Sequence, residues 1–135
     1  MTIFSKIIAG EIPAYKIAED DRFLAFLDIF PLVEGHVLVI PKLEVDRIFD
    51  LDPQWIADAF LFAQKIGKAI ERTFDCNRCG ISVIGLEVPH AHIHLMPIDT
   101  PDDMNFARPK LKLDESDFKR IQQQLVAALN QEQSN

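Results

Sequence analysis

The stretch from His90 to Met96 reads HAHIHLM, and three of the chain's four histidines fall in it at two-residue spacing. In an extended strand a period of two places His90, His92 and His94 on one face. Ala91, Ile93 and Leu95 then point to the opposite face, as the buried side of a sheet requires. Histidine is neither a favoured strand former nor a common core residue. Three imidazoles in register therefore point to chemistry.

The rest of the chain supplies partners for such a strand. Apolar positions at Ile3, Phe4, Ile7 and Ile8 have helical spacing and predict a helix over 3–9, stopped by Gly10. Pro13 forces an extended entry into a strand at Tyr15–Glu19, and Asp20-Asp21 reads as a turn into a second strand, Phe23–Asp28. Asp28 closes the apolar run FLAFL, where a lone carboxylate is either a turn residue before Pro31 or a functional one. Gly35–Pro41 (GHVLVIP) is nearly continuous in apolar character, so it reads as a central strand covered on both faces, with His36 at its mouth.

Asp52-Pro53 is a helix start, a capping carboxylate followed by proline at the first helical position. That helix is expected to run to about Phe74, with Trp55, Ala59, Phe62, Ile66 and Ile70 inward and a surplus of apolar surface at Phe60, Leu61 and Ala63. The surplus suggests a second packing partner, such as another subunit. Strands are expected at Gly80–Gly85 and Pro89–Pro97, joined by the short link 86–88. Two prolines and scattered charge over Ile98–Leu113 predict an irregular surface segment. Asp114 caps a final helix with Phe118, Ile121, Leu125 and Leu129 inward, and the polar tail after Asn130 is expected to fray. Strands grouped by hairpins with helices between the groups read as α+β, with a mostly antiparallel five-stranded sheet.

A length of 135 residues suits one domain, 1–135, and 48% hydrophobic with 26% charged residues describes a globular chain. The net charge of −7 argues against broad nucleic-acid binding, although a local site can still be positive enough for a phosphorylated ligand. Without an apolar run near ~20 residues or a signal-like start, no membrane association and a cytoplasmic location are expected. Cys76 and Cys79 form a lone C-x-x-C with no second pair, so they read as two reduced thiols in a turn.

Two chemistries suit the histidine row. Neutral imidazoles at i and i+2 can share a zinc ion, although no carboxylate or thiolate stands beside them at ligand spacing. Alternatively, one imidazole attacks phosphorus while its neighbours fix its tautomer and donate hydrogen bonds to the phosphate.

The segment His90-Ala-His92-Ile-His94-Leu-Met resembles the signature of the histidine triad superfamily. IFSKIIAGEIPA, EDDRFLAFLDIFP and GHVLVIPK are similar, in order and wording, to its Hint branch, so the resemblance covers roughly Ile3 to Pro97. It implies a homodimeric α+β fold, binding of a nucleotide, usually purine, and hydrolysis of a bond at the α-phosphate through a nucleotidyl-histidine intermediate. No cofactor is implied. By position His92 matches the nucleophile, His90 and His94 its supporting neighbours, and His36 a fourth histidine of the same network. Asp28 matches the carboxylate that holds the ribose hydroxyls. Ile3, Phe4, Ile7, Ile12, Phe26, Ile29 and Leu38 match the apolar walls of the base pocket. His94, where related nucleotidyl transferases carry glutamine, favours hydrolysis over transfer.

Two departures from the family pattern shape the expectation. Thr2-Ile-Phe-Ser5 stands where zinc-bearing members have C-x-x-C, so no metal is expected. The stretch before the triad is shortened to Gly85-Leu86-Glu87-Val88-Pro89, without the asparagine, glutamine and hydroxyl that contact the phosphate and leaving group in most members. Glu87 is instead a candidate leaving-group acid if it faces the site. The leading expectation is a phosphoramidase-like nucleotide hydrolase. The alternatives are a nucleotide-binding regulatory protein with weak catalysis and a metal-dependent hydrolase using the histidines as ligands.

Overall fold

The apolar runs FLAFL and VLVIP become neighbouring strands that are buried along their whole length. The computed structural model describes residues 1–134, with side chains to Gln131. Five strands, β1 (Lys16–Glu19), β2 (Phe23–Leu27), β3 (Val37–Pro41), β4 (Arg78–Ser82) and β5 (Ile93–Ile98), form one sheet in the order β1-β2-β3-β5-β4. Every pairing is antiparallel. Three α-helices accompany the sheet: α1 (Ile3–Ile8), α2 (Pro53–Thr73) and α3 (Glu115–Ser134).

Strand alternation sorts the core into two clusters. Phe23, Ala25, Leu27, Val37, Val39, Ile93 and Leu95 pack with Ala63, Ile66 and Ile70 of α2 and with Phe118, Ile121 and Leu125 of α3. Leu24, Phe26, Leu38 and Ile40 point the other way and meet Phe4 and Ile7 of α1. Covering both faces explains why β2 and β3 lack polar positions. Each such side chain contributes about 1.5–3 kcal/mol when fully buried, which fixes the sheet as a rigid platform.

The helix termini follow from their caps. The Asp52 carboxylate accepts from the Gln54 N–H at 2.9 Å, with Pro53 in the first turn. Asp114 accepts from the Asp117 N–H at 2.9 Å, and the Thr2 hydroxyl accepts from the Ser5 N–H at 3.0 Å. Phe60 and Leu61 on α2 stay exposed, while Trp55 and Phe62 pack against the core. Among the described residues no helix is long and apolar enough to cross a membrane.

The structure corrects several expected boundaries. β5 begins at Ile93 rather than Pro89, so His90 and His92 precede the strand and only His94 lies in it. The backbone there bonds elsewhere: His90 N–H donates to the Val88 carbonyl at 2.8 Å and Ala91 N–H to the Val45 carbonyl at 2.7 Å. Pro89 has no N–H to offer a ladder. β4 correspondingly spans Arg78–Ser82 instead of Gly80–Gly85, because its pairing ends at Ser82 opposite His94. The link between the strands therefore runs over 83–92. Cys79 sits in β4 rather than in a turn, and both thiols are free. Burial raises both thiol pKa values, that of Cys79 to about 12, so both stay protonated. Residues 98–113 include a 3₁₀ turn at Pro101–Met104, and α3 continues through Ser134 past the point where fraying was expected.

Candidate active site

The four imidazoles gather on the α1 side of the sheet, and all four are buried. Register brings them together: His94 on β5 lies opposite Leu38 on β3. His36 enters just ahead of β3 through Gly35, whose φ of +91° and whose contact with Phe74 leave no room for a side chain. Across the β2–β3 connection the Asp28 N–H donates to the His36 carbonyl at 3.0 Å, which sets the carboxylate beside that ring.

Main-chain partners fix where the protons sit. The Leu32 N–H donates to His36 Nδ1 at 3.1 Å, so a neutral His36 carries its proton on Nε2. That Nε2–H faces His94 Nδ1 at 2.9 Å and, at a longer 3.5 Å, the Asp28 carboxylate. With Nδ1 accepting, His94 carries its proton on Nε2. His92 Nδ1–H donates to the His90 carbonyl at 2.6 Å, which leaves Nε2 as a bare lone pair. Among the described residues no buried side-chain nitrogen or oxygen lacks a partner, so the unpartnered Nε2 atoms of His92 and His94 are accessible. One offers a lone pair and the other a proton.

His90 is held from the far side. Its Nε2–H donates to the Pro41 carbonyl at 2.9 Å, and its Nδ1 accepts from the Thr2 hydroxyl at 2.9 Å. Glu44 anchors that end of the chain by accepting from the Ser5 hydroxyl at 2.7 Å and the Thr2 N–H at 2.6 Å. The Phe4 ring stands edge-on to His92 at 5.2 Å and to His90 at 5.7 Å, so α1 both lines the pocket and braces the triad.

Electrostatics favour neutral rings. Burial lowers the pKa of His36 to about 3 and of His94 to about 4, and it lowers that of His92. Burial also raises Asp28 to about 6, against a hydrogen bond from the Phe30 N–H at 2.8 Å. That bond makes Asp28 a turn residue, and its side chain also lies at the cavity described below. Ligand atoms of Asp28, His36 and His94 lie within 4.8 Å of one another. The two facing imidazole nitrogens already share a hydrogen bond, which a metal ion would have to break.

A cavity of about 210 Å³ opens beside these groups. Each of Ile3, Phe4, Ile7, Ile12, Phe26, Ile29 and Leu38 lines it, as do Asp28, His36, His92 and His94. His90 does not; it supports His92 from behind. Glu87 both lines the cavity and stays exposed, which places it at the mouth. Among the lining residues that the sequence reading did not single out are Phe106 and Lys110, whose segment has no periodic pattern. The roles of Thr2, Ser5 and Glu44 were equally hidden, since their contacts span 39 to 88 residues. The Thr-x-x-Ser spacing was the only available signal.

An antiparallel α+β platform with three spaced histidines at an apolar pocket defines a histidine-triad protein. The family model for the HIT domain matches residues 9–100, and the chain belongs to the histidine triad family. It is 38% identical to an uncharacterized HIT-like protein of Borreliella burgdorferi over 131 residues, 91% of this chain and 94% of that one. It is 33% identical to the adenosine 5′-monophosphoramidase of Saccharomyces cerevisiae over 129 residues, 94% of this chain and 82% of that protein. A zinc-bound histidine triad family protein from Mycobacterium smegmatis superposes with a TM-score of 0.82 at 30% identity, covering 98% of this chain and 95% of that one.

Proposed function

We propose that this protein hydrolyses a bond at the α-phosphate of a nucleotide, a purine nucleotide by preference, through a nucleotidyl adduct on His92. The observation that carries this reading is the 2.6 Å bond from His92 Nδ1 to the His90 carbonyl, which leaves Nε2 free to attack. The lone pair forms the N–P bond as the bond to the leaving group breaks, and that pair of electrons departs with the leaving group. His94 Nε2–H donates to a phosphoryl oxygen, where charge builds up. Glu87 at the cavity mouth supplies the leaving group's proton. Water then attacks phosphorus, gives its proton to the Glu87 carboxylate, and frees His92. The apolar walls hold the base, and Asp28 holds the ribose hydroxyls. The relative named as an adenosine 5′-monophosphoramidase supports a leaving group attached through nitrogen.

Incubating the protein with a nucleoside phosphoramidate and quenching in base should trap a phosphoramidate adduct, seen by intact mass. His92→Ala should abolish the adduct while nucleoside binding stays nearly intact. Adduct on the His92→Ala protein would overturn the assignment.

The altered stretch 85–89 favours a second reading, a nucleotide-binding regulatory protein with weak turnover, because it offers the phosphate neither an amide nor a hydroxyl side chain. Stoichiometric adduct with negligible steady-state hydrolysis would select that reading. We also infer a homodimer. β4 is an edge strand, and the exposed Ile81, Leu86 and Leu61 lie on or near it or on α2, surface that a second copy of the chain would cover.

A further inference from the structure

The nucleotide reading leaves the phosphate with one donor from His94 and, at the 85–89 stretch, a carboxylate. The segment after the 3₁₀ turn brings a cation back to the same cavity. The Leu111 N–H donates to the Pro31 carbonyl at 2.8 Å, which pins the segment against the β2–β3 connection. Upstream, the Phe106 ring stands edge-on to His94 at 4.7 Å and to His36 at 6.1 Å. Between these two anchors Lys110 lines the cavity and is half-buried.

Its ammonium group is underused. One N–H donates to the Phe106 carbonyl at 2.6 Å, and the nitrogen lies 5.7 Å from the centre of that residue's ring. An ammonium has three donors, so two remain. Among the described residues no carboxylate forms an ion pair with Lys110. A cation half-withdrawn from water in a largely apolar cavity is costly until an anion meets it. Its field already reaches the site, where it lowers the pKa values of Asp28, His36 and His94.

We propose that Lys110 is a phosphate-binding residue, so that segment 105–111 supplies the anion contact which the shortened 85–89 stretch lacks. This proposal rests on the nucleotide reading of the cavity. The Phe106 carbonyl and ring hold the ammonium, and Phe106 in turn packs on His94, so the cation and the His94 Nε2–H donor are positioned by the same contact. The consequence for specificity is selection of the nucleotide over its nucleoside.

Calorimetric titration with AMP and with adenosine tests this on the parent protein, Lys110→Met and Lys110→Arg. Loss of a charge-assisted bond should weaken AMP binding by about tenfold or more in Lys110→Met. Adenosine binding should stay unchanged, and Lys110→Arg should keep most of the AMP affinity. Equal weakening of AMP and adenosine would show that Lys110 merely shapes the cavity or balances Asp28. Unchanged AMP affinity would also overturn the proposal. Phosphorus NMR with inorganic pyrophosphate separates the two layers of inference. If neither AMP nor adenosine binds the parent but pyrophosphate binds in a Lys110-dependent way, the nucleotide reading falls and the anion site stands. If nothing binds, both fall.

Discussion

His36 Nε2 lies 2.9 Å from His94 Nδ1, and this single bond, donated by a residue ahead of β3, sets the proton on the far side of a β5 imidazole. Because Leu32 N–H occupies the other nitrogen of His36, the donor direction is fixed and His94 keeps a proton at its accessible Nε2. His36→Phe removes the donor, leaves His94 Nδ1 unpaired in a buried setting, and frees the ring to take the other tautomer. An unsatisfied buried group costs about 1–3 kcal/mol. Turnover should fall about tenfold or more while adenosine binding changes little, as read by steady-state kinetics beside calorimetry. Unchanged turnover would show that His94 is not a donor to the phosphate.

Acid stability carries a second prediction. His36 and His94 titrate near 3 and 4 when folded, below the ordinary value of 6.5. Between about pH 4 and 6 the unfolded chain therefore binds up to two more protons at these groups than the native one. Asp28 works in the opposite direction: its folded value near 6 exceeds the ordinary 3.8, so in that window the native state holds the extra proton. Stability conferred by the neutral histidines is complete above pH 6.5 and is lost as the pH falls. Asp28 partly offsets that loss. Asp28→Asn should make the decline steeper by up to about 1.4 kcal/mol per pH unit. Urea unfolding at several pH values between 4 and 6 measures the slope, and parallel curves for the two proteins would contradict the prediction.

Glu87 gives a third. As a proton donor at the cavity mouth it should matter most when the leaving group is poor. Glu87→Gln should keep AMP binding and slow turnover by something like ~10²-fold on an alkylamine phosphoramidate. The effect should be much smaller on a substrate with an acidic leaving group. Equal turnover of the two proteins on the alkylamine substrate rules the role out.

The subunit interface supplies a fourth. A stable dimer across β4 and the α2 face should bury at least ~1,000 Å². Leu61→Glu and Ile81→Glu together should convert a dimer to monomers in light scattering at micromolar concentration. A parent protein that is already monomeric there would refute the homodimer.

The sequence revealed the elements that have a period. The FLAFL and VLVIP strands, the Asp52 cap and the inner face of α3 at Phe118, Ile121 and Leu125 all follow from local pattern, and the structure has each of them. The triad itself was legible as three spaced histidines but not as a strand. Whether Pro89 to His92 joins a ladder depends on Val45, a residue 46 positions before Ala91. Lys110 and Phe106 were not legible at all. Their place in the cavity depends on the main-chain bond from Leu111 to Pro31 and on the packing of the Phe106 ring against His94, and neither contact leaves a mark in the local sequence. Glu87 showed only its charge, because its direction is set by an irregular link whose Gly85 adopts a φ of +74°.

Three of the four imidazoles are oriented by peptide groups, namely the Leu32 N–H, the Pro41 carbonyl and the His90 carbonyl. A peptide carbonyl is present whatever side chain its residue carries, and a peptide N–H is present for every residue but proline. The proton arrangement of the triad is therefore indifferent to substitution at positions 32 and 41, provided that the new residue preserves the local backbone. Descendants of this chain can exchange those side chains for others that fit the same buried space and keep the same nucleophile. What they cannot exchange is the backbone path that delivers the three groups, so inheritance of the chemistry is tied to inheritance of the fold.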